Sequence, residues 1–248
     1  MSNYPNRRAW LWKAAATALT TAGVVSLVQW YRRPLSAIST GEGTCSKSIL
    51  LAQYLPEAEF AGEVSVVIHA PAETIYAALQ SLTIADMPLA KWLGELRYLP
   101  GKLLGKQKPA PEAQAQPFLQ YIQSEGGNIV LAEEQNREIA FGAIAKFHNL
   151  ADQQVMPLRD AHEFVTFDQP DYQKLAMSIK LSPLDDGSSY RLTLTHGTHA
   201  LSPASRWKFA LYWLGIKPGG NLISWLMLDA IKSLAEKATI SSDVVVRN

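Results

Sequence analysis

Cysteine occurs once in the chain, at Cys45. No internal disulfide can close, and no pair of thiolates is available to build a metal cluster. A surplus of charge of either sign is also missing: 23 Lys and Arg face 22 Asp and Glu, for a formal net charge of +1. Such a balance provides no extended basic field of the kind that neutralises nucleic-acid phosphates. The Gly-x-Ser-x-Gly elbow, the phosphate loop, the dinucleotide fingerprint and the His-Glu-x-x-His and Cys-x-x-Cys ligand spacings do not occur. The common hydrolase, nucleotide and zinc chemistries therefore lack their positioning devices, and the sequence implies no metal and no cofactor. What is abundant is apolar: hydrophobic residues make up 48% of the 248 residues against 18% charged, which is enough to build a core and excludes wholesale disorder.

The amino terminus carries one apolar stretch, Ala14 to Tyr31, between Arg7, Arg8 and Lys13 on one side and Arg32 and Arg33 on the other. With Trp10 to Trp12 included it reaches the roughly 20 residues that a bilayer-crossing helix needs, and Trp10, Trp12, Trp30 and Tyr31 stand at its ends, where interfacial aromatics belong. Residues 1–33 therefore read as a single-pass membrane anchor, on an undetermined side of the membrane. Two alternatives stay open. Asn6 to Leu11 resembles a twin-arginine export signal, although Arg32 and Arg33 lie between the apolar core and the small residues Ala37 to Ser39. The stretch is also compatible with a helix that only packs on the domain or lies along a membrane surface. Residues 34–53, with Ser36 to Lys47 rich in Ser, Gly and Thr, read as a tether.

The folded body is expected over 54–240, with a tail over 241–248. Val64, Val66 and Ile68 alternate with polar neighbours, giving a first strand. Pro71 and Glu73 suit the opening turn of a helix that carries Ile75, Leu79 and Leu82. A second helix is expected around Leu89 to Leu96, followed by a breaker-rich loop over 100–117. Strands are then expected at Phe118 to Ser124, Asn128 to Glu133, Glu138 to Ala145, Ala161 to Phe167, Tyr172 to Leu181 and Ser189 to His199. Ser202-Pro203 opens a long helix, with Trp207, Leu211 and Leu214 as its first apolar face. Lys217-Pro218-Gly219-Gly220 is expected to interrupt it.

That order resembles the helix-grip, START-like superfamily (SRPBCC), which includes polyketide cyclase-like and birch-pollen-allergen-like proteins. The stretch SVVIHAPAETIYAAL, Ser65 to Leu79, is similar to the superfamily's opening strand and helix. RWKFALYWLGIKPGGNLISWLMLDAIKSLAE, Arg206 to Glu236, resembles the closing region of an uncharacterised bacterial branch. The resemblance implies an α+β fold in which a curved antiparallel sheet wraps a long carboxy-terminal helix, with an apolar cavity between them. It leaves function wide, because one fold hosts many activities.

On that register Met177, Ile179, Tyr190, Leu192, Leu194 and His196 face inward from two strands, joined by Trp207 and Leu211 from the helix, as the candidate ligand-binding set. Each is also what an ordinary core would use. His196 is the candidate acid or base. His196 and His199, three apart on a strand, point to opposite faces and cannot chelate one ion. Arg159 and Asp160 offer a polar rim at the cavity mouth, with a surface ion pair as the default reading. The leading expectation is binding or transfer of an apolar small molecule of lipid or quinone type. The alternatives are a cyclase- or dehydratase-like enzyme, and an interaction module whose carboxy-terminal helix docks on a membrane protein through Trp213 and Trp225.

Overall fold

A computed structural model describes residues 48–90, 92, 116–124, 127–150, 152–185 and 187–246. The anchor or signal over 1–33, most of the tether, most of the helix around Leu89 to Leu96 and the loop over 100–115 lie outside the described residues.

Five antiparallel strands form one sheet in the order β1-β5-β4-β3-β2. β1 is Phe60–Ile68, β2 Ile129–Glu134, β3 Glu138–Ala145, β4 Gln173–Pro183 and β5 Tyr190–Ala200. Around it lie α1 (Ile49–Tyr54), α2 (Ala72–Ser81), α3 (Phe118–Ser124), α4 (Ala161–Thr166) and α5 (Pro203–Val246). The strand period of two divides the side chains between two cores. Ile68, Ile139, Phe141, Ile179, Leu181, Leu192 and Leu194 meet Ile75 and Leu79 of α2 and Leu228 and Ile231 of α5 on one face. Leu131, Ala140, Ile144 and Ala176 meet Leu50 and Leu51 of α1 and Phe164 of α4 on the other. β3 is consequently buried along its whole length.

Local chemistry fixes the elements that cover the second face. Ser48 caps α1 by accepting from the Leu51 amide at 2.9 Å, and its hydroxyl donates to the buried Glu138 carboxylate, which also accepts from Ser178. Asp160 caps α4 by accepting from the Glu163 amide at 2.8 Å. The Phe164 ring of α4 lies so close to Gly142 that a β-carbon there would come within 2.9 Å of it, so glycine is what lets α4 seat on β3. Lys174 donates to the Val165 carbonyl at 2.7 Å, and burial pushes its ammonium pKa down.

Several expectations are corrected here. The segments 118–124 and 161–166 are helices, not strands. Phe118 and Ile122 are spaced i, i+4, and Asp160 stands three residues ahead of Glu163 in the pattern of a helix start. The sheet therefore has five strands. α1 occupies the last residues read as a tether and ends on Tyr54, and α5 continues to Val246 through the residues read as a tail. Nor does α5 break at Lys217 to Gly220; Pro218 sits inside the helix. An interior proline costs about 3 kcal/mol. The cost is offset because Phe209 and Trp213 before it and Met227, Leu228 and Ile231 after it are all buried.

Candidate ligand cleft and a buried polar cluster

Among the described residues, the space expected to be a cavity between sheet and helices holds a small void of about 10 Å³ lined by Ile75, Tyr76, Leu79, Arg137, Ile179, Leu181 and Leu192, room for about one water-sized sphere. Ile179 and Leu192, two of the candidate ligand contacts, line it. Leu194 is buried beside them, and Met177 and Tyr190 are partly buried at the margin of the same core.

Trp207 and Leu211 are not in this space. They are 68% and 61% exposed on the outer side of α5. The helical period explains the correction: Phe209 and Trp213, offset from them by two residues, take the sheet-facing side and are buried. Trp213 stacks on Phe209 at 5.8 Å and meets Phe60 at 6.3 Å edge-on. It is therefore core, while Trp225 is 45% exposed, and the two do not form one patch.

An open cleft of about 670 Å³ lies beside the void. Leu119 and Pro117, Val130 of β2 and Ile139 of β3 supply its apolar surface, and Gln80, Gln120, Gln123, Ser124 and Glu133 its polar surface. None of these residues belonged to the candidate set, because α3 was read as a strand and its carboxamides had no face to share with α2. The Tyr76 hydroxyl, on the void, donates to Glu133, on the cleft. Burial, followed by that hydrogen bond and the Glu133 charge, raises the phenol pKa further above its ordinary value. Tyr76 is thereby held protonated as a donor.

His196 lines neither space. It shares the face of Leu194 and Met177, as its parity predicts, and its ring rests edge-on against Trp213 at 5.7 Å. Opposite it in the register is Gly62. A β-carbon at 62 would lie 2.6 Å from His196 Cε1, 2.7 Å from Nε2 and 3.0 Å from Asn221 Oδ1. Burial, then the positive charge of Lys217, pushes the imidazole down to about 4, so it is neutral at pH 7. The indole nitrogen of Trp213 and Oδ1 of Asn221 are buried without hydrogen-bond partners. His199 faces the other way, with Nδ1 2.8 Å from the Glu57 carbonyl. Arg159 pairs with Glu163 rather than with Asp160, which is committed to capping. Among the described residues, no group of three or more His, Cys, Asp and Glu side chains is placed to hold a metal ion.

No family model matches the chain, and no curated protein does. Solved structures do. A hypothetical protein from Helicobacter pylori is 9% identical, with a TM-score of 0.40, over 79% of this chain and 99% of its own. A Mesorhizobium loti protein is 13% identical, with a TM-score of 0.32, over 71% and 97%. The Zhui aromatase/cyclase of a Streptomyces strain is 14% identical, with a TM-score of 0.26, over 71% and 93%. The helix-grip arrangement of this chain rests on its own strand order and on α5, and these likenesses carry nothing about the site.

Proposed function

We propose that the protein binds an apolar small molecule with a hydrogen-bonding head, and that the open cleft, rather than an enclosed cavity, receives it. The observation that carries this reading is the composition of the cleft. An apolar surface from Leu119, Val130 and Ile139 stands against carboxamides from Gln80, Gln120 and Gln123, the combination that holds a mostly apolar ligand in one orientation. Among the described lining residues the only charge is the carboxylate of Glu133. A neutral or cationic head is favoured over a phosphate or a carboxylate, which Glu133 would repel. The apolar tail lies along Ile139, on the side of the cleft where Glu133 accepts from Tyr76 of the void. A lipid or quinone with a neutral head fits this description.

The test is native mass spectrometry of the full chain extracted gently from its host membranes, with organic extraction of any bound molecule. Gln120 is exposed on the rim, so Gln120→Trp obstructs the cleft without entering the core. The expected result is a stoichiometric small molecule on the parent chain and its loss from Gln120→Trp at unchanged thermal stability. A bare mass for the parent, or full retention by Gln120→Trp, overturns the reading.

A further inference from the structure

The outer side of α5 carries more apolar surface than its packing uses. Trp207, Leu211, Leu214, Pro218, Leu222 and Trp225 are all exposed. Their spacing is 4, 3, 4, 4 and 3 residues, which at 100° per residue confines them to an arc of about 80° and a ridge about 27 Å long. The opposite side of the same turns is committed to the fold through Phe209, Trp213 and Lys217, all buried. A ridge of this kind is larger than scattered surface hydrophobics require.

We infer that this ridge docks on the surface of a lipid bilayer. Three observations select a bilayer over a protein partner. The first is charge: from Gly187 to Leu228 the chain has no Asp or Glu, while Arg206 and Lys208 flank Trp207 and are themselves exposed, paired with Glu59 and with Asp171. Nothing on the ridge opposes the negative potential of an anionic leaflet. The second is form: tryptophans stand at both ends of the apolar line, and the exposed Arg206 and Lys208 border the one at Trp207, features of a helix lying in the interface plane. The third is the chain outside the described fold, where the apolar run over 14–31 ends shortly before α1 begins at Ile49. No helix among the described residues is long and apolar enough to cross a membrane, so α5 lies on the bilayer and does not span it. The inference does not depend on what the cleft binds.

The experiment uses the full chain with Cys45→Ser, reconstituted in vesicles of phosphatidylcholine with a minor fraction of phosphatidylglycerol. Spin labels are attached at Leu211→Cys or at Leu222→Cys, two exposed positions, with Gln135→Cys in the β2–β3 turn as an aqueous control. Collision with oxygen and with a water-soluble nickel chelate is measured for each. Docking predicts that labels at 211 and 222 gain oxygen contact and lose nickel contact several-fold relative to 135, at a depth of about 5–10 Å. Nickel contact equal to that at 135 overturns the inference. Exclusion of both reagents also overturns it, because that is the signature of a face covered by protein.

Discussion

Replacing Gly62 with alanine tests the packing of His196 beneath α5. The new β-carbon would lie 2.6–2.7 Å from the imidazole and 3.0 Å from the Asn221 carboxamide. Ordinary contact begins near 3.4 Å, so the ring has to retreat by several tenths of an ångström toward Trp213, which already touches it edge-on. Overpacking of this kind costs about 1–3 kcal/mol. His196→Ala alone also destabilises, by the loss of an aromatic contact of about 0.5–1.5 kcal/mol and of buried area. Combined, the two changes compensate, because the methyl group added at 62 occupies space that the ring has left. Equilibrium urea denaturation of the four chains should therefore give a double mutant more stable than the sum of the singles predicts, by about 1–2 kcal/mol. Additivity within about 0.5 kcal/mol would refute the reasoning, since it would mean that the ring does not oppose residue 62.

The other predictions concern pH and the second core. His196 has a folded pKa near 4 against about 6.5 unfolded. The unfolded chain therefore binds the extra proton between those values, and stability that is complete above about pH 6.5 falls as the pH drops toward 4. The loss is up to about 3 kcal/mol, and His196→Gln should flatten this limb of a stability–pH profile. Phe164 is fully buried against Gly142, so Phe164→Ala should cost about 3–5 kcal/mol in denaturant unfolding. A cost below 1 kcal/mol would mean that α4 is not seated on the sheet. Asp160→Ala removes the cap of α4 and should cost about 1 kcal/mol, with Asp160→Asn nearly neutral.

The elements that the sequence identified are those whose periodicity is sustained. β4 and β5 emerge near their observed limits because apolar residues alternate along them, and β3, a continuous run buried on both faces, because the Gln135-Asn136 turn sets its start; β1 begins earlier than its alternation, at Phe60. α3 and α4 were read as strands because six or seven residues hold fewer than two helical turns, too short for the 3.6 period to separate from alternation by counting apolar residues. The decisive sign at α4, Asp160 followed by Glu163, is a capping signal and not a periodicity. The exposure of Trp207 and Leu211 could not be read from apolar spacing either. Two apolar sets, 207/211/214 and 209/213, run along the same turns of α5, and only the tertiary contacts of Phe209 and Trp213 with Phe60 decide which faces inward. His196 was placed on the correct face by parity alone. Its neighbours Trp213, Lys217 and Asn221 follow at i, i+4 and i+8 on a helix whose sequence carries the breakers Pro218, Gly219 and Gly220 in that span. The cleft was invisible in the sequence because its carboxamides come from α2 and α3, and one of those helices had been read as a strand.

The most direct measurement of where a ligand sits is methyl and side-chain amide NMR of the full chain titrated with dodecanol, an apolar chain with a neutral hydroxyl head. Binding in the cleft predicts saturable shifts of the Leu119, Val130 and Ile139 methyls and of the Gln80 and Gln120 amides, with Leu228 and Ile231 unmoved. Saturable shifts centred on Leu228, Ile231 and Leu194, or no saturable shift at the cleft, would contradict it.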